Sequence, residues 1–99
     1  MIDVAVDIVK KHLDEYHSDE DFKLLTYANK DYTFYSSKRW HARIALGLVD
    51  NEVLFSISNQ IRKKKILEKQ LRLIGAMKYS DKWDYYGYDR NKMELKVYE

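Results

Sequence analysis

Apolar side chains recur at alternating intervals of four and three positions at the beginning of the chain. This spacing places them along one side of a helix and leaves the charged residues between them on the other side. Asp3 is the expected N-cap, and the carboxylate of Asp7 lies near the favourable end of the helix dipole. The pattern predicts an amphipathic helix between Asp3 and His17, with a buried stripe of Ile2, Val6, Val9, Leu13 and Tyr16.

The side chains of residues 22–28 alternate with a period of two positions, which is typical of a strand. Residues 18–21 also fit a capping box that opens a second short helix, so the pattern leaves helix and strand open. We favour a strand, because Asn29-Lys30 fits a two-residue turn and the aromatic and β-branched residues 32–35 predict a partner strand. The residues at alternate positions of the first strand are Phe22, Leu24, Thr26 and Ala28.

The clearest hairpin signal covers residues 43–58. Asp50 and Asn51 at its centre are the two non-glycine residue types that best tolerate a positive φ. A turn at this position places the six large apolar residues of both strands on one face, whereas a slip by one residue would distribute them over both faces. The predicted pairs are Val49 with Glu52, Leu48 with Val53, Leu46 with Phe55, and Ile44 with Ile57.

A second helix is predicted from about residue 60 to residue 77, with Ser58 or Asn59 as its cap. Its first turns are basic, and Gly75 is expected to weaken its last turn. Its apolar stripe consists of Ile66, Leu67, Leu71, Ile74 and Met77.

A second hairpin is predicted over residues 83–98. A two-residue turn at Arg90-Asn91 would pair Asp89 with Lys92. The chain contains no internal repeat and no linker-like stretch. The sequence therefore predicts one α+β domain over residues 1–99, with the element order α-ββββ-α-ββ and an antiparallel sheet.

The composition narrows the classes of function. The 99 residues include no cysteine, which excludes a disulfide scaffold, a thiolate metal site and a thiol nucleophile. The start of the chain lacks the basic and apolar regions of a signal peptide, and no apolar stretch approaches the roughly 18 to 20 residues of a membrane span. We therefore expect a cytoplasmic protein without a membrane partner.

Catalytic and metal-binding patterns are weak. His12 and His17 stand five positions apart, where a shared metal would need a spacing of four, and we interpret His17 as part of a solvated acidic helix end. Glu94-Leu95-Lys96 with Asp84 and Asp89 loosely resembles the Asp…Glu-x-Lys pattern of metal-dependent nucleases, but the predicted register places Asp84 on the opposite face from Glu94. We expect a protein that is not an enzyme and has no metal or cofactor.

Charge is segregated along the chain, although the net charge is +2. Residues 1–22 carry two lysines and seven carboxylates, whereas residues 23–78 carry twelve cations and four carboxylates. A basic middle segment suits a polyanion, and the same segregation would arise if an acidic helix lay against a basic sheet. Cations interleaved with an indole suit phosphate contacts and base stacking. The candidate nucleic-acid-binding residues are Lys38, Arg39, Trp40, Arg43, Arg62, Lys63, Lys64 and Lys65.

The predicted order of elements from Asp3 to Met77 resembles that of double-stranded RNA-binding domains. A helix, an antiparallel sheet that ends in the 44–57 hairpin, and a helix that begins with the basic run 62–65 follow one another. Members of that family grip phosphates across a groove with lysines at the start of the last helix, so the resemblance implies a double-helical ligand. The chain departs from the family in the Ile and Leu residues of this helix and in the additional hairpin of residues 83–99.

Five aromatic residues lie within ten positions near the end of the chain, and the acidic residues among them disfavour phosphate. Tyr and Trp suit a protein surface, and a hairpin with an open edge suits a two-fold interface. In the alternative arrangement, half of these rings belong to the domain's own core. The candidate interface residues are Tyr79, Trp83, Tyr85, Tyr86 and Tyr88.

Two hypotheses about function follow. The first is a small, non-enzymatic nucleic-acid-binding protein that forms a homodimer and binds through the basic middle segment independently of sequence. The alternative is a protein-binding or inhibitory module, similar in composition to small virus and phage gene products, that acts through the Tyr-rich hairpin. The high charge content also predicts melting above about 45–65 °C.

Overall fold

The computed structural model describes residues 2–19, 22–26, 32–37, 42–80, 86–89 and 94–97. This part of the chain contains two helices and seven strands, and the predicted α+β fold class is confirmed. In chain order the elements are α1 (Ile2–Tyr16), β1 (Lys23–Thr26), β2 (Tyr32–Ser37), β3 (Ala42–Val49), β4 (Glu52–Ile57), α2 (Lys64–Leu73), β5 (Met77–Ser80), β6 (Tyr86–Asp89) and β7 (Glu94–Val97).

The first helix forms where the spacing of apolar residues predicts it. It begins at Ile2, so Asp3 lies in its first turn and is not the N-cap. In that position the Asp3 carboxylate still lies at the positive end of the helix dipole. The buried residues of α1 are Ala5, Val9, His12 and Leu13.

Five strands form one sheet in the order β1-β2-β3-β4-β5. Neighbours among the first four strands are antiparallel, as predicted, whereas β5 runs parallel to β4. Two parallel neighbours need a crossover connection, and α2 provides it. The sheet is therefore mixed, and the crossover positions α2 beside the edge strand β5.

The central hairpin has the predicted register, from the pair of Ile44 with Ile57 to the turn. Asp50 and Asn51 have φ values of 51° and 63°. These left-handed values are those that a two-residue hairpin turn requires. The turn and the hydrophobic alternation therefore select the same register.

The first strand confirms the interpretation of residues 22–28 as a strand over its central part, 23–26. Thr26 pairs with Thr33, and this pair is symmetric about Asn29-Lys30, where the sequence predicts a turn. The turn itself lies outside the described residues.

The second helix begins at Lys64 and not near residue 60. Neither predicted cap residue acts as one, because the Ser58 hydroxyl accepts a hydrogen bond from the Arg43 amide (2.8 Å) and Asn59 Oδ1 accepts one from the Lys64 ammonium (2.9 Å). Lys63 occupies the N-cap position in the left-handed region, with φ 54°. Residues that the sequence assigns to the start of the helix therefore form a turn.

The same helix ends before the predicted residue 77. Gly75 has φ 87°, and the amides of Gly75 and Ala76 donate hydrogen bonds to the carbonyls of Arg72 and Leu71 (3.0 Å each). This pair of bonds is a Schellman motif, which ends a helix at a residue in the left-handed conformation. Met77 therefore belongs to β5, although its spacing continues the apolar stripe of the helix.

The hydrophobic core lies between the two helices and one face of the sheet. The opposite face is also buried at Ala45 and Ser56, which alternate with core residues along β3 and β4. The core residues of the central strands and helices include Ile44, Leu46, Phe55, Ile57, Val9, Leu67 and Leu71.

The predicted second hairpin is present as the antiparallel pair of β6 and β7. Asp89 pairs with Glu94 and not with Lys92, so the predicted two-residue turn at Arg90-Asn91 is wrong. Four residues separate the paired ends, and the observed register differs from the predicted register by two positions. Because the side-chain period of a strand is also two, this shift preserves the alternation of faces.

Candidate nucleic-acid interface

An open groove of about 540 Å³ lies between α2 and β5. Four of the side chains that line it are cations, and one is a carboxylate. A groove lined mainly by one sign of charge raises the local concentration of the opposite sign. The lining residues are Lys65, Glu68, Lys69, Arg72, Leu73 and Lys78.

Helix geometry places three of these cations in one row. Lys65, Lys69 and Arg72 are separated by four and three positions, so they project from the same side of α2 over about 10 Å. All three are exposed. Lys78 reaches the groove from β5, one of the two edge strands of the sheet. The β4-α2-β5 crossover thus brings together cations from two elements.

The Glu68 side chain projects from α2 toward β5. The residue is 9% exposed, and its Oε2 atom is 3.3 Å from Lys78 Nζ and 3.8 Å from Arg72 Nη2. The shared carboxylate holds α2 against β5 and keeps two of the cations at the groove. Because four cations face one carboxylate, the lining retains a net charge of +3.

Two buried histidines of the α1 region hold the turn that precedes α2. His12 Nε2 donates a hydrogen bond to the Arg62 carbonyl (2.7 Å), and the Arg62 amide donates one to His17 Nε2 (2.8 Å). His12 and His17 are 2% and 3% exposed, so the prediction that His17 belongs to a solvated helix end is wrong. The Arg62 guanidinium also donates to the Tyr16 carbonyl (3.2 Å). These contacts fix the approach to α2 on the first helix.

The same hydrogen bonds define the protonation of both rings. His12 must carry a proton on Nε2 to donate, whereas His17 Nε2 must be unprotonated to accept. Burial lowers the pKa of His12 below its ordinary value of 6.5, and this effect exceeds the opposing influence of the hydrogen bond to the Arg62 carbonyl. His12 is therefore neutral at pH 7.

The candidate cations that the sequence places in one run have different surroundings. Lys65 lines the groove, while Arg62 and Lys63 are exposed in the turn that leads to it. Lys64 is half-buried, and its ammonium contacts Asn59. One member of the run therefore belongs to the groove, and two lie at its approach.

The remaining candidates of this group do not join the groove. Arg43 alternates with the buried Ile44 along β3, so its side chain lies on the sheet face opposite the helices. Residues 38–40 lie outside the described residues.

Three cations of the groove are not among the nucleic-acid-binding residues predicted from the sequence. Lys69 and Arg72 continue the helical spacing from Lys65, and this signal was present in the sequence. Lys78 had no local signal, because the sequence assigns its neighbour Met77 to the end of a helix. Its position depends on the parallel pairing of β5 with β4.

The aromatic cluster near the end of the chain is only partly described. Tyr79 is half-buried on β5, and Tyr86 and Tyr88 occupy backbone positions on β6. Trp83 and Tyr85 lie outside the described residues. A protein interface or homodimer contact at this cluster stays a prediction.

A second cavity of about 280 Å³ lies beside α1 and includes Tyr35 and His17 in its lining. Burial, with a smaller contribution from Asp7, raises the pKa of Tyr35 to about 12, so its hydroxyl stays protonated at neutral pH. Among the described residues, the buried Tyr35 Oη and Ser37 Oγ atoms lack a hydrogen-bond partner. Because Tyr35 Oη is itself buried, it offers no accessible atom to a molecule in this cavity.

Comparison with known proteins leaves the site to be interpreted from its own geometry. Within the described ranges, no group of three or more His, Asp or Glu residues is placed to hold a metal ion. Neither of the two described helices has the length and hydrophobicity that a membrane span requires. The family comparison does not support the resemblance to double-stranded RNA-binding domains, and β5 adds a strand to the order on which that resemblance rests. No family model matches the chain, and comparisons with curated proteins and with solved structures give no match.

Proposed function

We propose that the protein is a non-enzymatic nucleic-acid-binding protein whose main contact surface is the groove between α2 and β5. The observation that carries this proposal is the convergence of Lys65, Lys69, Arg72 and Lys78 on one open groove. Phosphate groups in the groove would lie next to the four cations. Arg62 and Lys63 add two exposed cations in the turn that precedes α2.

Phosphate contacts of this kind give binding that depends weakly on sequence and strongly on salt. Each neutralised phosphate of duplex DNA releases condensed counterions and contributes about 0.9 to the slope of log affinity against log salt. Four contacts therefore correspond to a slope of about −3.6.

A protein partner is the second candidate function. Leu73 is 76% exposed beside the groove, and Ile66 is 41% exposed on the same side of α2. Apolar side chains that are exposed along one helix face are typical of protein-binding surfaces. The same cations would then contact carboxylates of the partner.

Fluorescence anisotropy with labelled duplex DNA, duplex RNA and single strands at 50 and 200 mM salt tests the proposal. The informative variant is Lys65→Ala with Lys69→Ala, which removes two groove cations. The matched control is Lys10→Ala with Lys11→Ala, which removes two exposed lysines from α1 and changes the net charge equally.

We expect the groove variant to lower the magnitude of the salt slope by up to about 1.8, and the α1 variant to change it little. Equal losses in both variants would show that net charge, and not the groove, determines binding. If none of these nucleic acids binds at 50 mM salt, the proposal is wrong and the protein-partner function is favoured.

A further inference from the structure

The exposed side of α2 carries two parallel strips of side chains. Six of the ten helix residues are exposed, and none of the six is a carboxylate. At 100° per residue, they divide into a cationic strip and an adjacent strip of apolar and amide side chains. The cationic strip is Lys65, Lys69 and Arg72, and the second strip is Ile66, Gln70 and Leu73.

The second strip is unusual for a solvated helix face. Leu73 is 76% exposed and Ile66 is 41% exposed, although both are large aliphatic residues. A solvated helix normally carries polar residues on its exposed side. The two strips together suit an occupant that presents phosphates next to apolar groups and to hydrogen-bonding edges.

The major groove of B-form DNA presents this combination. It is about 12 Å wide and admits an α-helix, with phosphates along its walls and base edges on its floor. On that floor the thymine methyl group is an apolar contact. A Gln amide can make a paired contact with adenine, donating from Nε2 to N7 and accepting at Oε1 from the N6 amino group. Gln70 lies between Ile66 and Leu73 on the second strip, in a position to face such edges.

Other nucleic acids fit the two strips less well. The major groove of A-form RNA is too deep and narrow for side chains to read. Proteins that bind single strands use aromatic side chains to stack bases, and residues 64–73 include no aromatic residue. Charge and shape together therefore favour duplex DNA.

We propose that α2 enters the major groove of duplex DNA, with its cationic strip on the phosphates and Ile66, Gln70 and Leu73 facing the base edges. This inference rests on the proposed function and narrows its ligand to duplex DNA. The phosphate contacts supply most of the affinity, and the contact with thymine methyl groups adds a preference for A·T pairs. One contacted methyl corresponds to a roughly fourfold difference in affinity.

The test compares an A·T-rich DNA duplex with the same duplex in which uracil replaces thymine, which removes the methyl groups and keeps every phosphate. Duplex RNA of the same sequence and a G·C-rich DNA duplex complete the set. The informative variant is Leu73→Ala, and the control is Val4→Ala, which shortens another exposed apolar side chain, on α1. Because Leu73 is largely exposed, its replacement leaves the core intact.

We expect thymine-containing DNA to bind about fourfold more tightly than its uracil counterpart, and duplex RNA to bind more weakly than either. Leu73→Ala should remove the difference between thymine and uracil while leaving the salt slope unchanged, and Val4→Ala should preserve both. Equal binding of the thymine and uracil duplexes, or of DNA and RNA duplexes, with a steep salt slope would overturn the major-groove inference and leave the proposed function standing. Loss of binding to every nucleic acid would overturn both.

Discussion

Replacement of Glu68 by Gln should affect stability and binding in opposite directions. The side chain of Glu68 is 12% exposed and that of its partner Lys78 is 27% exposed, at an Oε2 to Nζ distance of 3.3 Å. Exposed ion pairs contribute about 0–1 kcal/mol, whereas breaking a buried pair costs about 3–5 kcal/mol. The partial burial of this pair places the expected loss between them, at about 1–3 kcal/mol of unfolding free energy.

The same substitution removes the negative charge of the groove. A phosphate in contact with Lys78 would lie about 6 Å from the Glu68 carboxylate, because one ion-pair distance separates each of them from the ammonium. At an effective dielectric constant of about 40–80, the repulsion at that distance is about 0.7–1.4 kcal/mol. Its removal should strengthen binding about three- to tenfold at low salt.

Urea unfolding measures the first effect, and anisotropy with duplex DNA at 50 mM salt measures the second, at a temperature where the variant is fully folded. Glu52→Gln is the control, because Glu52 is exposed on β4 and its replacement removes one negative charge away from the groove. We expect that control to change affinity less than twofold. A folded Glu68→Gln protein that binds DNA more weakly than the unmodified protein would refute the position of the phosphates beside Lys78.

Three further predictions concern the fold and its assembly. Because the folded-state pKa of His12 is lowered, the contribution of this residue to the free energy of unfolding should be fully present above pH 6.5. It should be lost as the pH decreases toward the lowered pKa. Urea unfolding between pH 7.5 and 5 checks this, and His12→Gln should flatten the dependence of stability on pH. A flat profile for the unmodified protein would contradict the assignment. Phe55→Ala removes a fully buried side chain and should cost about 3–5 kcal/mol in denaturant unfolding, so an unchanged melting temperature would contradict the described core. If the protein is a homodimer, its melting temperature should rise with concentration and light scattering should give twice the chain mass, whereas a monomer mass with constant melting excludes the dimer.

The central hairpin shows what local sequence can predict. Asp50 and Asn51 specify the turn, and the apolar alternation on both sides specifies the same register, so two independent signals agree. The second hairpin was predicted mainly from its turn residues. The Arg90-Asn91 turn of the second hairpin had no equally strong alternation to fix it, and the observed register differs by two residues.

The boundary between α2 and β5 shows what the sequence could not predict. Met77 continues the spacing of the helix, and only the conformation of Gly75 and the pairing of Met77 with Leu54 assign it to a strand. That pairing is parallel and joins residues far apart in sequence. The groove depends on it, because Lys78 reaches Glu68 from β5.

The histidines illustrate a second limit. Their spacing argues against a shared metal ligand pair, but it says nothing about the distant backbone group that both contact. His12 and His17 bind the carbonyl and amide of Arg62, which lies 45 or more positions away in the sequence. Contacts of this kind follow from the packing of the α1 region against the turn before α2, and no local pattern marks them.

Backbone amide chemical-shift mapping of the isotope-labelled protein with duplex DNA locates the contact surface without a substitution. We expect the largest shifts in residues 62–73 and at Lys78. These shifts should diminish with added salt, and the turn at Asp50 and Asn51 should change little. Shifts centred on the hairpin of β6 and β7, with residues 62–73 unchanged, would contradict the claim that the groove between α2 and β5 binds nucleic acid.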